Sequence, residues 1–560
     1  MKKNDSIFWL EDNFSLRPID DIARESSNPK EIMDYPVVYL LYKKSKRGNI
    51  YIGETSSAIS RLKTHLKDEE KKSFEQFSII FDPSFHKSAT YNIETNLIQY
   101  ITADNNDFQT TNTTQHKMKR THNYYQKEIY DREIFGTIWD ELRKRGFANQ
   151  TIEEIRNTDI YKLSPFTVLN DEQLDVKEQI INFCENNIDN ENGAVLIVQG
   201  DAGTGKSVLL SSVFKSIQDS AKDPSSKLHI AQNNHLLVNH EEMFKTYKNI
   251  AKKVSNLAVK NFNKPTSFIN SIDKERLSNP EAIADIVLVD EAHLLLSTSD
   301  NYNNFSQTNH LEEIMKRSKI TIIIFDDRQV LKAKSYWDTK SLETIVNNKP
   351  IEWVQLSQQM RMQANKETQD WIDNIVNKKI SSIPKDENYE IKIFETAQEM
   401  YEAIKQKDRQ NGISRMISTF DYLHKKDGKD YYVEEDEMIL PWNRIYNKNT
   451  WAEVKESKDE VGSIYTIQGF DLNYAGVILG PSITYNKITD RIEIDTSKYK
   501  DSEAFKGSAT IYDGNGNLIP QEKVKEEIIL NSLNVLLKRG VNGLYIYASD
   551  KDLNEKLRTL

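Results

Sequence analysis

The sequence predicts an α/β protein in which a small N-terminal α/β unit precedes two larger lobes built on doubly wound parallel sheets. Three observations carry the prediction. From Ser164 onward, short apolar runs (AVLIVQG, IVLVDEA, ITIIIFDD, AGVILG, GLYIYAS) alternate with longer helix-compatible segments, the rhythm of parallel strands joined by crossover helices. Ahead of them, VVYLLY (37–42) and NIYIGE (49–54) flank a Gly-containing turn and read as paired strands. Finally, 560 residues exceed what one core supports at ~100–200 residues per domain.

In order along the chain, residues 1–35 are polar and mixed and read as an N-terminal extension. The small α/β domain over 36–122 continues through a helical stretch around SAISRLKTHLKD, the strand-like FSIIFD, and a helix from about Ala89 to Ala103. The charged segment YYQKEIYDREIFGTIWDELRKRG makes 123–160 a helical connector. The first parallel lobe spans 161–345 and the second 346–560. An Asn/Ser-rich patch, SDNYNNFSQTNH (299–310), reads as an exposed loop.

Composition narrows the class without fixing the activity. Apolar residues at 38% and charged residues at 29% are ordinary for a soluble protein. No stretch offers the ~20 apolar residues that a membrane helix needs, so no membrane partner is expected. MKKNDSIFWLEDNF meets acid before an apolar run forms, and no secretory signal is read there. Cys184, the single cysteine, excludes an intrachain disulfide and a Cys-cluster zinc site, and a reduced, cytoplasmic setting fits. The net charge of −10 argues against a general nucleic-acid coat. Residues 1–150 are nearly balanced, however, and Lys43–Arg47 and Lys117–Arg120 are local basic clusters that phosphate could meet.

The strongest signal is Gly200-Asp-Ala-Gly203-Thr-Gly205-Lys206-Ser207, between a buried-type strand and a helix start. Glycines allow successive backbone N–H groups to converge on a phosphate at a helix N-terminus, Lys206 adds a point charge to the β/γ-phosphates, and Ser207 is placed to ligate magnesium. Downstream, Asp290 and Glu291 end the strand IVLVD. Asp290 there can orient the magnesium, and Glu291 can take a proton from the attacking water. ATP and Mg2+ are therefore the expected cofactors.

From this point the chain resembles superfamily 1 helicases, within them the Schlafen-group-3-like helicase family, over roughly residues 160–555, and the resemblance implies two RecA-like lobes. SPFTVLNDEQ resembles the Q-type motif and implies that Gln173 binds adenine. IIIFDDRQ implies Gln329 as a γ-phosphate sensor, and LSQQMRM implies that Arg361 reaches the γ-phosphate from the second lobe. SIYTIQGFD puts Gln468 and Gly469 near nucleotide or strand, and VLLKRGVNGLYIYASD makes Arg539 a second arginine finger. The third motif has Asp-Asp-Arg-Gln where the family usually has Gly-Asp-Pro-x-Gln, and no Thr precedes Arg539, which leaves polarity open. Trp442 in PWN either stacks a base or is buried.

The N-terminal unit holds Tyr39, Tyr51-Ile52-Gly53, Arg61, His65 and Glu94. Two tyrosines on adjacent strands bring two hydroxyls to one surface, and Arg61 and His65, four apart, share a helix face. A phenol, a guanidinium, an imidazole and one carboxylate suffice to cut a phosphodiester with a single metal. Residues ~36–115 resemble the GIY-YIG nuclease family, with Val37-Val38-Tyr39 and Tyr51-Ile52-Gly53 as its paired hallmark. That resemblance implies Tyr39 as general base, Tyr51 as its partner, Arg61 as phosphate contact, His65 as auxiliary proton carrier and Glu94 as metal ligand. It maps the family's late asparagine to Asn112, with Asn105 and Asn106 as rivals. The two resemblances together imply an ATP-dependent nuclease-helicase acting on DNA, in the setting of bacterial defence against foreign DNA or of repair. An RNA-processing enzyme and an ATP-gated nucleic-acid sensor without unwinding are the alternatives.

Overall fold

The computed structural model describes residues 7–25, 34–44, 48–112, 123–156, 158–300, 305–337, 339–346, 349–359, 361–425, 427–446, 451–467, 470–513 and 515–560. The basic cluster Lys117–Arg120, most of Lys43–Arg47, and Gln468 and Gly469 lie outside them. Two compact units result, one of residues 1–181, 208–232 and 245–262, the other of 182–207, 233–244 and 263–560.

In the first unit a five-stranded sheet is built from β1 (Phe8–Asn13), β2 (Val37–Lys43), β3 (Gly48–Thr55), β4 (Gln76–Phe81) and β5 (Phe108–Thr110) in the order β1-β4-β2-β3-β5. β3 and β5 run parallel and the other pairs antiparallel. VVYLLY is apolar throughout because both faces of β2 are covered. Val38, Leu40 and Tyr42 share a core with Ile93, Leu97 and Ile101 of the helix Lys87–Ala103, and Val37, Tyr39 and Leu41 share another with Ile59 and Leu62 of the helix Ala58–Leu66. Burial of each such side chain contributes roughly 1.5–3 kcal/mol.

Two sequence expectations are corrected here. Part of the N-terminal extension is the edge strand β1, paired antiparallel with β4 from Phe8↔Phe81 to Asn13↔Gln76. Its acids hid it: FWLEDN has an edge strand's half-buried pattern and no continuous apolar run. The segment read as a connector also belongs to the core of this unit. Phe135, Ile138, Trp139 and Leu142 of the helix Phe135–Lys144 are buried in the cluster that holds Val38 and Leu40, and Phe147 packs edge-on to Tyr42 with ring centroids 4.8 Å apart. The charged residues of this helix occupy its outer face, and a count of charge alone missed the apolar one.

The second unit carries two parallel sheets. The first comprises β6 (Ala194–Gly200), β7 (Asn234–Val238), the two-residue β8 (Phe262–Asn263) at one edge, β9 (Ala284–Asp290), β10 (Ser318–Phe325) and β11 (Ile351–Leu356), ordered β11-β6-β10-β9-β7-β8. β11 pairs parallel with β6, so the first sheet extends past the expected lobe boundary at 345. The second sheet, ordered β12-β20-β17-β13-β16, comprises β12 (Glu390–Ile393), β13 (Arg415–Ser418), β16 (Val461–Gly462), β17 (Leu472–Leu479) and β20 (Gly540–Ala548). Two antiparallel hairpins join it, β14 (Tyr432–Glu435) with β15 (Met438–Pro441) and β18 (Ile483–Asn486) with β19 (Arg491–Ile494). Among the described residues no helix is long and apolar enough to cross a membrane.

Candidate active sites

β6, β10 and β9 are neighbours, and their C-terminal ends deliver Gly200, Asp326 and Asp290 to one place. The carboxyl ends of parallel strands are where open α/β sheets bind ligands. Gly203 and Gly205 hold φ of +88° and +74°, a backbone region that only glycine enters without strain, so the loop can curl ahead of the helix Lys206–Lys222. Lys206 Nζ donates to the carbonyls of Gly200 (2.6 Å) and Asp201 (2.7 Å) and pairs with Asp326 at 2.9 Å. Burial pushes the Asp326 carboxyl up, but Lys206 and the 2.5 Å hydrogen bond from Gln329 outweigh it and hold the pKa below the usual range. Ser207 Oγ donates to Asp290 Oδ1 at 3.2 Å. A hydroxyl and a carboxylate oxygen side by side are hard donors suited to magnesium.

Glu291 has a left-handed backbone, φ 50° and ψ 51°, immediately after β9. A non-glycine residue held there costs of order 1–3 kcal/mol, a cost that clusters at functional sites. The turn keeps Glu291 beside the buried His293, whose Nε2 stands 3.2 Å from Glu291 Oε2. Burial lowers the His293 pKa despite the neighbouring acids Glu291 and Asp326.

Arginines from outside the first sheet reach the same ground. Arg361 donates its main-chain N–H to the Gly203 carbonyl at 3.2 Å and pairs through Nε with Asp471. Arg539 is fully buried at the start of β20, with Nη1 donating to the Phe470 carbonyl at 3.1 Å and Nε without a hydrogen-bond partner. Burial, and then the like charge of Arg361, push its pKa down to about 9, against the pull of Asp471, Glu291 and Asp326. Arg361 Nη1, like Arg539 Nε, is buried without a hydrogen-bond partner, and two arginines crowded near three acids, each with an unmet buried donor, form a place for a polyanion.

Gln173 lies in the other unit, where it and Asn170 cap the helix Asp171–Asn187 reciprocally: Gln173 Oε1 accepts from Asn170 N–H at 3.1 Å, and Asn170 Oδ1 from Gln173 N–H at 2.7 Å. Trp442 is buried against Phe420 and Tyr422, which removes base stacking. Three residues escaped the sequence reading. Gln359 donates to the Ala202 carbonyl at 2.7 Å and covers Gly203 so closely that a Cβ there would collide with its carboxamide. Asp326 and Asp471 were legible only as acids at a strand end and a strand start.

In the N-terminal unit Tyr39 sits directly opposite Gly53 across β2 and β3, and a Cβ on Gly53 would collide with the Tyr39 ring and hydroxyl. Tyr39 Oη and His65 Nε2 share a 2.7 Å hydrogen bond. The rings of Tyr39, Tyr51 and His65 are mutual neighbours with centroids 5.5–6.2 Å apart. Burial raises the Tyr39 pKa, Tyr51 adds to the rise, and Arg61 opposes it. Tyr51 is raised by burial and next by the charge of Glu94, which marks that carboxylate as a near neighbour. Burial lowers the Arg61 pKa, and the neighbouring Tyr39 and Tyr51 raise it by more. His65 is pushed down to about 4 by burial, then by Lys71 and Arg61. Among the described residues no group of three or more His, Cys, Asp or Glu could hold a metal ion. The Asn112 carboxamide donates to the Ile52 carbonyl (2.7 Å) and accepts from the Ile52 N–H (3.1 Å). It fixes the backbone between Tyr51 and Gly53. Its rival Asn106 closes a turn, bonding Ile101 O and Phe108 N.

Residues 193–550 match the model of the Schlafen group 3, DNA/RNA helicase domain. The chain belongs to that family. A curated relative, "Uncharacterized protein YPL245W" of Saccharomyces cerevisiae, is 41% identical over 429 residues, covering 71% of this chain and 91% of its own. The crystal structure of Pif1 helicase from Candida albicans aligns at 12% identity over 70% of this chain and 96% of that one, with a TM-score of 0.28. The structure of C. elegans PCH-2 aligns at 12% identity over 36% and 48%, with a TM-score of 0.18. The Schlafen group 3 match spans the loop at Gly200, both acids after β9 and both arginines, so these features are parts of one helicase domain.

Proposed function

We propose that the chain is an ATP-dependent nuclease-helicase acting on DNA, with a GIY-YIG nuclease in the N-terminal unit and an ATP-driven strand motor built on the two parallel sheets. The observation that carries the nuclease half is the 2.7 Å bond between Tyr39 and His65, with the charges of Arg61 and Glu94 acting on Tyr51 beside them. In the proposed reaction Tyr39 passes its proton to His65 Nε2 as it takes one from water. The water oxygen bonds to phosphorus, the bond from phosphorus to the leaving ester oxygen breaks, and Arg61 holds the phosphate. Glu94 would hold a divalent cation, which when bound screens the phosphate and the leaving oxygen.

In the motor, Lys206 would leave its loop carbonyls for the β/γ-phosphates, Ser207 and Asp290 would hold magnesium, and Glu291 would take the proton of the attacking water. The γ-phosphorus bonds to that water as its bond to the β,γ-bridging oxygen breaks, releasing ADP and phosphate. Arg361 and Arg539 would neutralise the transferring group, Gln329 would sense it, and Gln173, Gln468 and Gly469 would contact nucleotide or strand. A nuclease fed by a motor suits defence against foreign DNA.

The test is incubation of the purified chain with circular and linear DNA, with and without ATP and magnesium. Nicking of circular DNA that needs magnesium, and ATP-stimulated loss of long duplex, are expected; intact circles under all conditions sink the nuclease. RNA is the second reading, favoured by a family description that names both nucleic acids. Faster cutting of matched RNA would establish it.

A further inference from the structure

Lys71 begins the short turn Lys71–Ser73, just past the helix that carries Arg61 and His65. Its ammonium stands over the ring of Tyr51, 4.2 Å from the centroid, with 19% of the side chain exposed. The carboxylate of Asp68 is 3.9 Å away, too far for a hydrogen bond. Burial lowers the Lys71 pKa, and Arg61 lowers it further against the pull of Asp68 and Glu70. Lys71 and Arg61 thus bring two partly dehydrated positive charges close to each other beside Tyr51, an arrangement of like charges that an anion would relieve.

We propose that Lys71 is a second phosphate-binding residue of the N-terminal site, gripping the phosphate next to the one that Arg61 holds. The assignment rests on the nuclease reading above. Division of labour follows from the two cations' shapes. A guanidinium fork fits two oxygens of one phosphate, whereas an ammonium on a four-carbon stem acts as a point charge that can meet a neighbouring phosphate off-axis. The competing role is mechanical, with Lys71 serving only to prop the ring of Tyr51.

Lys71→Met keeps the stem and removes the charge, and Lys71→Arg restores the charge. Both are assayed in the full chain on a short duplex with magnesium over a series of salt concentrations, with ATPase as the check on folding. For Lys71→Met we expect KM to rise roughly tenfold with kcat within about twofold, as loss of one charged contact implies. The plot of log kcat/KM against log salt should become shallower by about 1, the signature of one lost phosphate contact, and Lys71→Arg should recover it. A Met variant with unaltered KM and slope overturns the assignment. So does a fall in kcat at unaltered KM and slope, which is the mark of a prop. If the unaltered chain cuts nothing, the nuclease reading falls and this assignment with it, a result distinct from a cutting enzyme indifferent to Lys71.

Discussion

The hydroxyl of Tyr39 and Nε2 of His65 lie 2.7 Å apart, and burial has moved their proton affinities in opposite directions, the phenol up and the imidazole down to about 4. A neutral imidazole is the form that can accept the tyrosine proton, and here it persists well below the ordinary histidine range around 6.5. The pH profile of cutting should therefore stay level from pH 7 to about 5 and fall only as His65 protonates near 4. A profile that halves near 6.5 would mean that His65 keeps the ordinary histidine value. Stability follows the same proton. Between about 6.5 and 4 the unfolded chain binds a proton at His65 that the folded chain refuses, so stability drops as pH falls through that window and changes no further from this source below it. His65→Gln should flatten that dependence and slow cutting by ~10²-fold or more, the usual scale of general-base loss.

Gly53→Ala should be selective. The added methyl collides with the Tyr39 ring and hydroxyl, and the strand cannot retreat while Asn112 clamps Ile52 from both sides. Overpacking of this kind costs typically 1–3 kcal/mol. Thermal melting should register that loss, cutting should fall steeply as Tyr39 is displaced from His65, and ATPase should persist. Wild-type cutting by a folded Ala variant would mean that Tyr39 has room the geometry denies it.

The same residues mark how far the sequence could be read. The loop at Gly200, the strand-borne acids and the parallel rhythm were legible because each is a local pattern with a fixed spacing. Tyr39, Gly53 and His65 were legible as a set, but the reason for Gly53 was not: the collision it avoids is with a ring on the neighbouring strand, and register is not written in one strand. β1 was missed because edge strands lack a continuous apolar run, and Trp139 because its helix wears charge on the outside. The spacing gives no hint that the Asn112 carboxamide bonds the Ile52 backbone on the neighbouring strand. Gln359 and Asp471 touch the loop at Gly200 and Arg361 only after long stretches of chain have folded, and no spacing rule encodes such contacts.

Lys206→Ala should abolish ATPase by removing the point charge meant for the β/γ-phosphates, and should also destabilise the nucleotide-free protein. Lys206 offsets the buried Asp326 across 2.9 Å, and removing one partner of a buried pair typically costs 3–5 kcal/mol. The double variant Lys206→Ala with Asp326→Asn removes the stranded charge, so its melting temperature should recover most of the loss while ATPase stays absent. Equal melting of the single and double variants would show that the pair carries no net stability.

Arg539→Ala tests the coupling of the two halves. Arg539 is buried beside Arg361 and within the field of Glu291 and Asp326, so it can act on the transferring phosphoryl group while contributing little to initial ATP capture. Hydrolysis should fall by ~10³-fold or more, as for other arginine fingers, with ATP binding retained. If the motor feeds strand to the nuclease, ATP-stimulated cutting of long duplex should fall with it. Cutting of a short substrate that needs no unwinding should survive, because Tyr39, Arg61 and Glu94 are untouched. The ratio of long-duplex to short-substrate cutting, measured in the variant and the parent, is the decisive quantity. A lower ratio establishes feeding. An unaltered ratio means that two enzymes share a chain without sharing a mechanism. Loss of both activities in a folded variant would mean that the nucleotide state gates the nuclease itself, and Glu291→Gln, which should bind ATP without turning it over, would then hold the nuclease in one setting.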